Sequence, residues 1–174
     1  MKGKRNYGDR RPAPPLDTPT LERLALRYVE RFATTRGKLG DYLRRKCRER
    51  GTVEDFDPAG IDTIVEKFAS LGYVDDAAWA GSKASSLTRR GFGPRRVGDA
   101  LRAAGIDPDL ASAVAPDEDE AWAAAQTYAR RKKIGAFGEA EADRDVKRKQ
   151  MAAMIRAGHG FDVARKTVEG VADA

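Results

Sequence analysis

Three glycines constrain this chain more than any other feature. Gly51, Gly105 and Gly158 stand 54 and 53 residues apart, and each stops a run with helical apolar spacing. Arg36-Gly37 precedes Arg90-Gly91 by 54 residues, in the same register. The segments after the glycines also open alike, as Phe56-Asp57-Pro58, Ile106-Asp107-Pro108 and Phe161-Asp162-Val163. An apolar residue ahead of an Asp cap is the hydrophobic-staple arrangement, which sets the angle at which a helix is entered. Such a recurrence belongs to a tandem array whose units bury their apolar faces against one another. Trp79 precedes Gly105 by 26 residues and Trp122 precedes Gly158 by 36, so the third unit holds a longer loop.

Apolar periodicity makes the segments helical. Thr18 as cap, with Pro19 behind it, opens the first, and Leu21, Leu24, Ala25, Tyr28, Val29 and Phe32 form its stripe. A second helix turns Leu39, Tyr42, Leu43 and Cys47 inward and closes at Gly51. A third begins at Asp57-Pro58, presents Ile61, Ile64, Val65, Phe68 and Leu71, and stops at Gly72. Asp75 suits the cap of a fourth, with Trp79 as core anchor and Ser82, Ser86 and Leu87 at helical spacing. The run Arg89-Arg90-Gly91-Phe92-Gly93-Pro94 breaks that helix and restarts it with proline in first position. Val97, Ala100, Leu101 and Ala104 make the next face, ended by Gly105 in the left-handed conformation that glycine adopts cheaply.

A short helix follows from Asp107-Pro108 through Leu110 and Val114. Asp117, Glu118, Asp119 and Glu120 then load a helix start with favourable negative charge. Trp122, Ala125 and Tyr128 face inward there, while Arg130, Arg131, Lys132 and Lys133 crowd the last turn. Residues 134–142 read as a loop. Val146, Gln150, Ala153 and Met154 mark one more helix, and a last one starts at Asp162 with Ala164, Val168 and Val171. Sustained alternation is missing, so no strand is expected. The expected fold is all-α, with tandem three-helix modules in an elongated, curved array. The expected organisation is a disordered basic tail over residues 1–17 and modules over 18–73, 74–115 and 116–174.

Composition agrees with small modules rather than one deep core. Hydrophobic residues are 41% of the chain and charged residues 34%, and many of the apolar ones are alanine. The single cysteine, Cys47, follows Leu39 and Leu43 at four-residue steps and reads as a small buried hydrophobe. One cysteine builds no disulfide framework, which fits a reducing compartment. With no apolar run near the roughly 18 residues of a membrane helix, and no apolar signal core, a cytoplasmic protein is expected.

The inventory offers no active site, metal site or cofactor. The only histidine, His159, lies between glycines and reads as a solvated loop residue. One Cys and one His make no zinc-ligand spacing. Gly91-Phe92-Gly93 and Gly37-Lys38-Leu39 lack the GxxxxGK[ST] spacing that cradles phosphates. Asp75-Asp76 reads as a cap and a dipole partner rather than an acid–base pair.

What recurs is arginine. Arg44, Arg45, Lys46 and Arg48 fall in the first module and Arg89, Arg90, Arg95, Arg96 and Arg102 in the second. Arg130, Arg131, Lys132 and Lys133, with Lys147, Arg148 and Lys149, fall in the third. With a formal charge of +6, stacked modules would present a basic track suited to a polyanion or an acidic protein groove. The alternative is a solvated face balanced by Asp and Glu. From the residues alone the chain is a basic helical-repeat binding module.

The second module resembles the signature of the RecX family of recombination regulators. It carries Gly72-Tyr73-Val74-Asp75-Asp76, then Trp79, then Arg90-Gly91-Phe92-Gly93 with Arg96, and Leu101-Arg102-Ala103-Ala104-Gly105-Ile106. Leu39, Leu43 and Gly51 fit the same scheme in the first module, and the resemblance runs from about Leu21 to the C-terminus. The third departs from it, with Arg156-Ala157-Gly158-His159-Gly160-Phe161 where the family has a basic pair before Gly-Phe. The resemblance implies a small cytoplasmic, non-enzymatic, monomeric protein that binds RecA and the RecA–DNA filament. It implies modulation, mostly inhibition, of the filament's ATPase and strand exchange in recombination, DNA repair and the SOS response.

Contact candidates for the filament, or for single- or double-stranded DNA directly, are Arg44, Arg45, Arg48, Arg89, Arg90, Arg95, Arg96, Arg102, Arg131, Lys132 and Lys147. Trp79, Leu101 and Phe68 belong to the core. The alternative function is a stand-alone basic DNA-binding helical protein. Phe92 is the one aromatic that stands out among the arginines, which speaks against a base-stacking single-strand platform.

Overall fold

A computed structural model describes residues 14–138 and 142–170. Most of the expected basic tail, part of the 134–142 loop, and Val171 lie outside the described residues. Among the described residues there are nine α-helices, one 3-10 turn and no strand. The chain divides into two compact units, one ending at Asp75 and the other beginning at Asp76.

The first unit is a three-helix module of α1 (Thr18–Val29), α2 (Arg36–Arg50) and α3 (Gly60–Ser70). Leu16, Leu21, Ala25, Leu39, Leu43, Ile61, Ile64, Val65, Phe68 and Val74 close into one core. The expected stripe of α1 is there, shortened. The cap is Asp17 rather than Thr18: its carboxylate accepts from Thr20 N–H at 2.9 Å, which also holds its pKa below the usual carboxylate range. Because α1 ends at Val29, Phe32 leaves the inward stripe and is 54% exposed. Leu71 is likewise exposed, since α3 ends at Ser70 and Val74 takes the inner place. Ahead of α1, Leu16 exchanges backbone hydrogen bonds with Gly51 and Val53 at 2.9 and 3.1 Å and is fully buried. That short parallel bridge ties the start of the module to the end of α2.

The second unit holds α4 (Asp76–Arg89), α5 (Pro94–Arg102), α6 (Pro108–Ala113), α7 (Glu118–Lys132), a 3-10 turn at Gly135–Phe137, α8 (Arg144–Arg156) and α9 (Phe161–Glu169). Its caps follow the acidic residues. Asp107 accepts from Asp109 and Leu110 N–H. Asp117 and Glu120 form a reciprocal capping box, with bonds of 2.8 and 3.2 Å.

Two core clusters form inside this unit. One joins Ala80, Ala84, Leu87, Val97, Leu101, Ala104 and Ile106. The other joins Ala125, Ala129, Ile134, Met154, Ala164 and Val168. Trp79 is not the anchor: it packs half-buried against the cluster that Leu101 and Val97 fill. The third helix start also differs from expectation. Gly160 caps α9, Asp162 sits inside its first turn, and Phe161 is 63% exposed, so no staple forms there.

Candidate functional site

The arginine-bearing turn between α4 and α5 is built on glycine. Gly91 adopts φ +82°, and a Cβ there would meet Tyr128 N at 2.8 Å and Ala124 O at 3.1 Å. A Cβ on Gly93 would collide with the Gly158 backbone, and one on Gly158 with Arg96. Missing side chains thus let this turn seat directly on α7 and on the α8–α9 turn. Backbone bonds lock it: Gly93 N–H donates to Ala157 O at 3.0 Å and Arg95 N–H to Gly158 O at 3.1 Å.

His159 completes the junction and corrects the sequence reading. It is fully buried, not solvated. Its Nε2 lies 3.1 Å from Gly91 O; a carbonyl only accepts, so Nε2 carries the proton. Nδ1 is buried with no partner among the described residues, and the ring packs against Tyr128 with centroids 5.8 Å apart. Burial pushes its pKa below the ordinary histidine value, opposed by the bond to Gly91.

The signal for this residue was the repeat register itself. Ile106 and His159 each follow a left-handed glycine, and each N–H donates back five residues, to Leu101 O and Met154 O. His159 therefore occupies the position that Ile106 fills in the preceding turn, and that position faces inward.

Around this junction the structure gathers several of the expected contact residues. Arg131 Nη1 donates to Arg90 O at 2.6 Å, and its guanidinium lies 6.0 Å from the Phe92 ring and 5.4 Å from the Tyr128 ring. Arg90 sits 5.4 Å over Phe92. Arg89, Arg90, Arg95 and Arg96 are exposed. Arg131 is thus a brace for the turn as well as a cation. Arg102 pairs with Asp99 at 2.9 Å on the far end of α5. Lys132 is exposed in the last turn of α7, and Lys147 is half-buried near the start of α8.

The remaining candidates belong to the first unit. Arg44 is held by Asp62 at 2.7 Å and Asp41 at 3.6 Å. Arg45 pairs with Glu49 at 3.7 Å and lies 5.7 Å from the Tyr42 ring. Arg48 is exposed. Cys47 is half-buried, and burial raises its thiol pKa.

Sequence reading missed a groove between α1 and α2. It has a volume of about 580 Å³ and is lined by Leu24, Arg27, Tyr28, Arg31, Phe32, Tyr42, Arg45 and Lys46. Tyr28 stacks on Tyr42 with centroids 4.3 Å apart and planes 15° apart, and Phe32 tilts onto Tyr28 at 5.3 Å. The expectation that few aromatics besides Phe92 sit among the arginines does not hold in this groove. Tyr28 and Tyr42 come from different helices, so their stacking is invisible in a linear pattern; Arg27 and Arg31, one helical turn apart, were the available hint.

Among the described residues no three His, Cys, Asp or Glu side chains converge as a metal site, and no helix is long and apolar enough to cross a membrane.

No family model matches the chain. Regulatory protein RecX of Myxococcus xanthus (strain DK1622) is 32% identical, over 95% of this chain and 92% of that protein. Regulatory protein RecX of Agrobacterium fabrum is 28% identical, over 83% and 79%. Among solved structures, RecX from Lactobacillus salivarius superposes with a TM-score of 0.69 at 19% identity, over 88% of this chain and 95% of that one. A second RecX crystal structure gives 0.62 at 18% identity, over 85% and 71%. These two likenesses concern the fold, and both neighbours are RecX proteins, matching the all-helical architecture here. Identity near one-third across almost the full length of both sequences settles the family: the chain belongs to the RecX family of regulatory proteins.

Proposed function

We propose that this protein binds the RecA recombinase and the RecA–DNA filament and modulates, mostly inhibits, filament ATP hydrolysis and strand exchange. It acts in the cytoplasm as a monomeric regulator without cofactor, by direct contact with the filament rather than as a catalyst. The three core clusters support reading it as three three-helix repeats over 18–73, 74–115 and 116–174.

One observation carries the proposal. The backbone of the Arg90–Arg96 turn is clamped to the α8–α9 turn, while the side chains of Arg90, Arg95 and Arg96 remain exposed. A backbone already fixed spares the cost of ordering the turn when these cations meet an anionic groove on the filament. A regulator seated this way opposes ATP-linked rearrangement or growth of the filament.

The test is DNA-dependent ATP hydrolysis by preformed RecA filaments, titrated with this protein from far below the RecA concentration. Inhibition at substoichiometric protein supports filament contact. No change until the protein rivals the DNA in concentration means competition for DNA and overturns the proposal.

A further inference from the structure

The α1–α2 groove belongs to the first unit, whereas the Arg90–Arg96 turn belongs to the second, and it has a chemistry of its own. Four of its eight lining residues are cationic and none is acidic. Arg27 and Arg31 have no ion-pair partner among the described residues. Lys46 and Arg45 share Glu49, at 2.6 and 3.7 Å, and such exposed pairs are weak enough for another anion to displace. Three of the other four lining residues are aromatic, and Phe32 presents more than half of its surface to solvent at the end of α1. A volume of about 580 Å³ falls in the usual range for small-molecule sites, roughly 300–1,000 Å³.

We propose that this groove is a binding site for single-stranded DNA, taking an unpaired base on the Phe32–Tyr28 aromatic face and the flanking phosphates on Arg27, Arg31 and Arg45. An acidic peptide would use the cations and leave the exposed ring idle. A duplex would use the cations too, but its bases already stack on one another. An unstacked base beside a phosphate engages both halves of the groove at once. The choice of DNA over RNA rests on the function proposed above, whereas the base-and-phosphate chemistry rests on the groove alone.

Fluorescence anisotropy of a labelled oligothymidylate with the full chain and no RecA tests this. Phe32→Ala should weaken binding on the order of tenfold, and Phe32→Tyr should retain it. Duplex affinity should be the same in the parent and in Phe32→Ala. Arg27→Gln and Arg31→Gln should each reduce the slope of log affinity against log salt by about 0.7. In the parent protein, Phe32 ring-proton resonances should shift on addition of the strand, a readout that depends on no variant. Unaltered affinity in Phe32→Ala, or unmoved Phe32 resonances, overturns the site. Displacement by polyglutamate as effective as by unlabelled oligothymidylate assigns the groove to an acidic protein and also overturns it. Tighter binding of oligouridylate overturns the assignment to DNA. Because RecA is absent, failure here leaves the Arg95 and Arg96 contact standing, and failure of the ATPase test leaves this site standing.

Discussion

His159 Nε2 meets Gly91 O at 3.1 Å across 68 positions of sequence. A buried, neutral imidazole thereby joins the α8–α9 turn to the α4–α5 turn, and the exposed arginines are held from behind by that link. The stability of the second unit should consequently depend on the protonation state of one side chain.

The sign follows from the depressed pKa. In the unfolded chain the imidazole titrates near its ordinary value of 6.5, and in the folded protein below it. The unfolded state therefore binds the proton more readily. Stability from the neutral ring is fully present above pH 6.5 and is lost as pH falls through the lowered folded value. The thermal midpoint should drop across that window in the parent. His159→Gln, which cannot charge, should show a flatter profile. Equal slopes in the two proteins would place the titration elsewhere.

Gly93 and Gly98 provide an internal contrast. Gly93→Ala forces a methyl into the Gly158 backbone, which should cost about 1–3 kcal/mol in urea denaturation. Gly98, within α5, has nothing near its missing Cβ. Gly98→Ala should be neutral, or stabilising by up to about 1 kcal/mol through helix propensity.

Charge reversal separates the two kinds of arginine. Arg95→Glu with Arg96→Glu should leave helicity intact and stability within about 0.5 kcal/mol, while weakening inhibition of RecA ATP hydrolysis. Arg131→Ala removes the bond to Arg90 O and two ring contacts. It should cost on the order of 1 kcal/mol. A collapse of helicity in the Arg95/Arg96 variant would mean that those residues serve the fold.

Cys47 should alkylate slowly. Its thiol is half-buried and its pKa is raised by burial, so less thiolate is present at mildly alkaline pH than in a free cysteine. Iodoacetamide labelling, followed by mass spectrometry in folded and urea-unfolded protein, should show faster reaction after unfolding.

Helix identity was readable because the chain punctuates itself. Gly105 does stop its helix in the left-handed region, and Pro94 does open α5. Asp107 and Asp117 act as caps by local bonds within three residues, so sequence neighbours carry the information. Phe32 and Leu71 were misplaced for a related reason. Helical spacing predicts a face only while the helix lasts, and each residue lies just past a helix end.

The site was harder to read. That Arg131 would brace Arg90 depends on α7 meeting the α4–α5 turn, a tertiary fact. His159 was hidden by its flanking glycines, which signal a solvent loop unless the repeat register is followed one residue further, to Ile106. The Tyr28–Tyr42 stack needs two helices brought side by side, and no period within either one reports it.

The two units differ in what fills them. The first closes on Leu21, Leu39, Leu43 and Ile64, large side chains whose truncation leaves holes costing about 2–5 kcal/mol each. The second sets Leu87, Val97, Leu101, Ile106, Ile134, Met154 and Val168 beside Ala80, Ala84, Ala104, Ala125, Ala129 and Ala164, so it can lose volume at some positions and has no room to gain it at others. Random substitution therefore wears on the two units differently. Lineages descending from this gene should tolerate alanine poorly at the large core positions of both units, and valine or leucine poorly at the alanines of the second. One half is vulnerable to erosion, the other to erosion and crowding alike.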